Sequence, residues 1–151
     1  MAITSKRNIL WIVLAVLVFM QFFRIDTTKP EYDRGLDIFA YSEADPAVVT
    51  SVHNACYDCH SYETVYPWYV QFAPVSWFMK HHIDEGRHHV NFSTWGDYPD
   101  NKKSHKLEEC IEMINEGEMP LSSYVLMHSE AKWTDEEKSK VLQFFKSQMD
   151  K

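Results

Sequence analysis

The feature that most constrains this chain is a cluster of two cysteines and one histidine, Cys56-Tyr57-Asp58-Cys59-His60. Three chemistries use such a cluster: a structural zinc site, a redox-active dithiol and the covalent attachment of haem. In the last case the two thiols bond to the vinyl groups of the porphyrin and the histidine becomes an axial ligand of the iron. The rest of the sequence must distinguish between these three.

The sequence gives weaker support to the redox and zinc alternatives than to haem. A C-x-x-C redox pair usually sits beside a βαβ unit, and no segment alternates as a strand. Structural zinc needs four ligands, which His81, His82, His88 and His89 could complete. Charged residues lie between these histidines on a predicted helix, a pattern typical of solvated imidazoles. The sequence therefore favours haem, with zinc as the main rival.

Composition and charge narrow the class of protein. The chain has 151 residues, a formal net charge of −7 and 15% aromatic residues. An acidic chain without a basic run argues against nucleic acid as a partner. The aromatic share suits a small domain around a flat apolar cofactor. Cys110 is left over from the motif, and its helical neighbours predict a buried, inert thiol.

The first 24 residues predict an uncleaved signal anchor. Residues 9–23 are apolar except for Gln21, they follow Lys6 and Arg7, and no small-residue cleavage site comes after them. The run is shorter than the ~20 residues of a comfortable span, so flanking side chains would extend it. The positive N-terminal side predicts a single-pass transmembrane helix in the inner (cytoplasmic) membrane, with the remaining chain on the periplasmic side.

The remaining chain is predicted to be all-α. We expect residues 25–44 to form a tether and residues 45–151 to form a c-type haem-binding domain. Asp45 and Pro46 predict a helix start, and Pro74 predicts another. Residues 102–116 form an amphipathic helix ending at Gly117. A capping box at 134–137 begins the last helix, whereas residues 91–101 are rich in loop-forming residues.

A c-type haem usually takes a second axial ligand, often a methionine. Met119 stands in the sequence G-E-M-P, just after a predicted helix end and before a proline that stiffens the turn. Met113 and Met149 lie in amphipathic helices, and Met79 is awkwardly close to His60. We therefore expect Met119 to be the distal ligand, with Met127 or His128 as the alternatives.

Taken together, these motifs resemble those of a small class I cytochrome c. More narrowly, CYDCHSYETVYPWY, PVSWF…EGRHHVNFSTW and GEMPLSSYVLMHSEAKWT resemble the bacterial haem-binding domain family, over residues 40–148. The resemblance implies one haem c attached through Cys56 and Cys59, with His60 as the proximal ligand and Met119 as the distal ligand. It implies no defined reaction.

We expect a membrane-anchored mono-haem c-type cytochrome that transfers electrons and is not an enzyme. Its redox protein partners are not given by the sequence. The alternative is a haem-based sensor of gas or peroxide, or a haem enzyme, with a labile sixth ligand. In that case a histidine in the segment 81–89 would serve as the distal acid or base. A zinc-stabilised binding module is the third possibility.

Overall fold

The computed structural model describes residues 6–149, and within that range every regular element is a helix. The α-helices are α1 (Lys6–Met20), α2 (Pro46–Val52), α3 (Asp58–His60), α4 (Val75–His89), α5 (Asp100–Glu116), α6 (Ser122–Met127) and α7 (Asp135–Met149). Short 3₁₀-helices lie at Arg34–Leu36, Ile38–Tyr41, Trp68–Gln71, Phe92–Asp97 and Ser129–Ala131, and a π-helix at His53–Tyr57. The prediction of an all-α chain is confirmed for these residues.

The predicted transmembrane helix is wrong. The helix α1 ends at Met20 and is 15 residues long, which at ~1.5 Å per residue falls short of the ~30 Å hydrocarbon core. The apolar run continues to Phe23, but Gln21–Phe23 form a turn in which Gln21 N bonds to Val18 O. Among the described residues, no helix combines the length and the apolar character needed to cross a membrane. The predicted single-pass location in the inner membrane is corrected with it.

The chain divides into two compact units, which are described separately. The first unit contains the residues up to Thr28 together with Tyr66–His82, and the second contains Lys29–Val65 and the residues from Ile83 onward. The Cys56–His60 motif and Met119 belong to the second unit.

In the first unit, Gln21 explains why one polar residue interrupts the apolar run. Its side-chain Nε2 donates to Ala73 O at 3.0 Å, and its Oε1 accepts from Ala73 N at 3.0 Å. The amide therefore satisfies both backbone groups of one residue. Trp77 Nε1 donates to Phe23 O at 2.8 Å, so the residues after α1 are bonded to the segment that begins α4.

The second unit is built around a core in which α7 packs against both α2 and α5. The core residues share near-complete burial and include Ile38, Val52, Tyr57, Phe92, Leu107, Ile114, Val141 and Phe145. Aromatic rings form part of this core, with Phe92 lying 5.7 Å from Tyr57 and 6.1 Å from Phe145 between ring centroids.

The helix starts predicted from local sequence are confirmed. Asp45 caps α2 by accepting a hydrogen bond from Ala47 N at 2.8 Å. Thr134 and Glu137 form the predicted capping box, in which Glu137 Oε2 accepts from Thr134 N at 2.8 Å and Thr134 Oγ1 accepts from Glu137 N at 3.2 Å. Such caps need only residues within one turn of each other, so a short pattern identifies them.

Two segments are more ordered than the sequence indicated. Part of the predicted loop 91–101 is the 3₁₀-helix Phe92–Asp97, which is capped by Asn91 and buries Phe92 and Trp95. In the predicted tether 25–44, Ile38 is 1% exposed and belongs to the core. The domain boundaries at residues 24 and 44 stay predictions.

Gly117 ends α5 with φ 78°, as its position in the sequence predicted. We expect Gly117→Ala to lower the free energy of unfolding by about 1–2 kcal/mol, because a Cβ disfavours this left-handed conformation. Gly117→Asn should cost less, since asparagine tolerates it. Urea unfolding measures both, and equal stability of Gly117→Ala and wild type would contradict the assignment.

Candidate functional site

The two cysteines and the histidine lie at the end of one continuous helical stretch made of α2, the π-helix and α3. Cys56 is in the π-helix, whereas Cys59 and His60 are in α3. A single π-turn in an α-helix is rare and is often found at functional sites. The spacing of three residues keeps both thiols on one side of the helix.

Burial disfavours the ionised form of both thiols. Burial raises the pKa of Cys59 to about 11, with a further contribution from the charge of Asp58. Burial also raises the pKa of Cys56. Neither Cys56 nor Cys59 is in a disulfide.

His60 is held in one orientation by backbone carbonyls of α4 and of the residue after it. Its Nδ1 lies 2.9 Å from Gly86 O and 3.2 Å from Val90 O. Since a carbonyl oxygen can only accept, Nδ1 must carry the proton. Burial lowers the pKa of His60 and keeps the ring neutral. Nε2 is then the nitrogen with a free lone pair, as in histidines that ligate metals.

Gly86 permits α4 to approach the motif this closely. A Cβ at position 86 would lie 2.7 Å from the carbonyl oxygen of Cys59 and 3.1 Å from its Cβ. Only glycine fits without a shift of one backbone against the other. The role of Gly86 could not be predicted from the sequence, because its only signal was a glycine inside a helix.

Arg87, the next residue of α4, fixes the chain that follows His60. Its Nε donates to Ser61 O at 2.8 Å, and its Nη2 donates to Thr64 Oγ1 at 3.0 Å. The guanidinium carbon also lies 5.1 Å from the ring centroid of Tyr62, within the range of a cation–π contact. No signal in the sequence indicated this role for Arg87.

Met119 is partly buried and packs against the same hydrophobic core as Cys56. Its backbone N donates to Met113 O at 3.2 Å, and the bond between Met119 and Pro120 is cis. The alternative ligand Met127 is 62% exposed. His128, the other alternative, bonds through Nδ1 to Tyr124 O at 3.1 Å.

Tyr124 on α6 reaches the turn that carries the cysteines. Its hydroxyl lies 2.8 Å from Asp58 Oδ2 and 3.2 Å from Asn54 O. Burial and the charge of Asp58 raise the pKa of Tyr124, so the hydroxyl stays protonated and donates. The other carboxylate oxygen, Asp58 Oδ1, accepts from Val65 N at 2.8 Å. Asp58 thus joins three parts of the second unit.

The rival interpretations of the motif lose support. Within the part of the chain that the structure describes, no group of three or more His, Cys, Asp or Glu residues is placed to hold a metal ion. The described residues also form no strand, and so no βαβ unit accompanies the cysteines. The histidines of α4 do not complete a zinc site, since His81, His88 and His89 are exposed and His82 bonds to Phe78 O.

Comparison with known proteins identifies the family. The sequence profile described as "Haem-binding domain" matches residues 15–147, which is most of the chain. The chain therefore belongs to the haem-binding domain family, and haem is its cofactor. The match begins at residue 15, inside α1, whereas the resemblance found in the sequence begins at residue 40. Searches of curated proteins and of solved structures give no significant match.

The residues present fit a haem. His60, whose Nε2 lone pair is free, follows Cys59 directly in the chain, and neither cysteine of the motif is in a disulfide. A haem iron needs no further protein ligands of the His, Cys, Asp or Glu type. The absence of a larger ligand cluster in the described residues is therefore consistent with haem, whereas it counts against zinc.

We expect Gly86→Ala to reduce the yield of haem-loaded protein. The added methyl group must push α4 away from Cys59, which costs about 1–3 kcal/mol as overpacking and lengthens the bond from His60 to position 86. The exposed neighbour Glu85 provides the control, because Glu85→Ala should leave loading unchanged. The haem absorbance per mole of purified protein measures both, and full loading of Gly86→Ala would contradict the close-packing account.

Proposed function

We propose that this chain is a mono-haem c-type cytochrome that carries electrons. Cys56 and Cys59 would hold the haem through thioether bonds, His60 would be the proximal iron ligand and Met119 the distal one. The observation that carries the proposal is the hydrogen bond of His60 Nδ1 to Gly86 O at 2.9 Å. It places the proton on Nδ1 and leaves Nε2 able to bind iron, in a residue that directly follows two free cysteines of the motif.

Covalent attachment is supported by the local geometry of the motif. Each thiol would add its S–H across one vinyl group, so that sulfur bonds to one carbon and hydrogen to the other, with no oxidant needed. The helix holds Cys56 and Cys59 three residues apart on one side, while His60 stays fixed to α4. The same turn therefore sets both the sulfurs and the imidazole.

The proposed pair of axial ligands, an imidazole and a thioether, supports a role in electron transfer. When bound, the haem supplies an iron that changes its oxidation state by one electron. An imidazole from His60 and a thioether from Met119 would both remain bound in either state, and methionine ligation would raise the reduction potential. The chain would keep the proximal ligand in place, because backbone carbonyls fasten His60.

The partners would be other redox proteins that approach the second unit. The formal net charge of −7 would favour a partner with a basic face, because opposite charges steer the encounter of two proteins. Association with such a partner should weaken as ionic strength rises.

The first prediction from this proposal concerns attachment. We expect Cys56→Ala and Cys59→Ala each to leave a single thioether, and the double variant to leave none. Haem staining after denaturing electrophoresis and the pyridine haemochrome spectrum measure this, since the loss of each thioether shifts the spectrum towards that of free haem. The Cys110→Ala variant is the control and should remain fully attached. Haem that stays bound in the denatured double variant would refute the attachment.

The second prediction concerns the distal ligand. Met119→Ala should keep both thioethers, lower the reduction potential and open the iron to carbon monoxide, because the thioether favours ferrous iron. Met127→Ala should leave the potential and the spectrum unchanged, since Met127 is 62% exposed. Rapid binding of carbon monoxide by the wild-type protein would instead favour a sensor or an enzyme with a labile sixth ligand.

A further inference from the structure

The loop that contains Met119 connects α5 and α6, and different interactions hold these two helices in the fold. On one side, α5 is fastened in the core by Leu107, 0% exposed, and Ile114, 4% exposed. On the other side, α6 has no buried residue, and its Leu126 is 83% exposed. Hydrophobic packing therefore fixes one end of the loop and contributes little at the other.

One contact of α6 with the rest of the second unit is polar. Tyr124 lies in the middle of α6, and its hydroxyl donates to Asp58 Oδ2 at 2.8 Å and lies 3.2 Å from Asn54 O. A hydrogen bond to a charged group is among the stronger ones, and it is partly buried here. The backbone of α6 starts directly after the Met119 loop, where Val125 N bonds to Leu121 O at 3.0 Å. Movement of α6 would therefore be transmitted to Met119.

The location of Asp58 connects this hydrogen bond to the Cys56–His60 motif. It is one of the two residues between Cys56 and Cys59, and its second oxygen is already engaged by Val65 N at 2.8 Å. The carboxylate is thus held on the turn that would carry the haem. A bond from α6 to that carboxylate ties the Met119 loop directly to the attachment turn.

We propose that Tyr124 is a positioning residue that sets the place of the Met119 sulfur relative to the haem iron, through its hydrogen bond to Asp58. This inference rests on the proposed function, in which Met119 is the distal ligand. Without the hydroxyl, α6 is released from the attachment turn, and the sulfur competes less well with other ligands for the sixth position.

The test uses covalently loaded holoprotein with Tyr124→Phe, which keeps the ring and removes the hydroxyl. We expect weakening of the long-wavelength band of the ferric protein that is typical of methionine–iron ligation. The apparent affinity of the ferric protein for added imidazole should rise about ten-fold, as the loss of a hydrogen bond to a charged group predicts. Urea unfolding records any accompanying loss of stability.

Tyr32→Phe is the matched control. Tyr32 also donates its hydroxyl to a carboxylate, Glu63, within the second unit, and this bond does not involve α6. If Tyr124→Phe and Tyr32→Phe lose comparable stability and only Tyr124→Phe changes the band and the imidazole affinity, the effect is one of positioning. Equal changes in both variants would overturn the inference.

Substitution of Asp58, which accepts the hydrogen bond, provides a second test. Asp58→Ala should raise imidazole affinity in the loaded protein, and adding Tyr124→Phe to it should produce no further rise, because both substitutions remove the same bond. Additive effects would overturn the inference.

The failure of this inference is distinguishable from the failure of the proposed function. A wild-type protein without the methionine band refutes both. A wild-type protein with the band, lost in Met119→Ala and intact in Tyr124→Phe, refutes the role of Tyr124 alone.

Discussion

The site depends on one interaction, the hydrogen bond from His60 Nδ1 to the carbonyl oxygens of Gly86 and Val90. It joins residues that are 26 and 30 positions apart in sequence, and it fixes both the tautomer and the direction of the imidazole. The contact exists only because position 86 carries no side chain, since a Cβ there would lie 2.7 Å from Cys59 O. Arg87 then secures the chain beyond His60. The second half of α4 is therefore the support of the proposed proximal ligand.

The two proposed axial ligands are held by different forces. His60 is fastened by backbone carbonyls in a half-buried setting, whereas Met119 lies in a loop between a well-packed helix and an exposed one. Because of this difference, we propose that Met119, and not His60, is the axial ligand whose position can vary. In an electron carrier, such an arrangement would keep the position of the imidazole constant. The surrounding chain would then adjust the strength of the sulfur–iron bond.

Local signals predicted the local structure well. Asp45, Gly117 and the Thr134–Glu137 pair act within one turn of a helix, and each appears where the sequence indicated. The length of α1 was not predictable in this way, because a continuous apolar run does not show where the helix ends. Gln21, the single polar residue of that run, contacts Ala73, which lies 52 positions away.

The supporting residues of the site were missed for the same physical reason. Gly86, Arg87 and Tyr124 each act on a segment far away in sequence, and nothing next to them in the chain indicates their partners. The motif itself was recognisable because its three functional groups are adjacent and its chemistry requires that spacing. Tyr124 was also hidden by its setting, since a tyrosine in a short helix is more often a packing residue.

X-ray absorption at the iron edge of the purified ferric holoprotein tests the central claim most directly. The account predicts a low-spin iron whose first shell holds the porphyrin nitrogens, one imidazole nitrogen and one sulfur, with the sulfur signal lost in Met119→Ala. A first shell made only of nitrogen and oxygen, or a sulfur signal that survives in Met119→Ala, would contradict it.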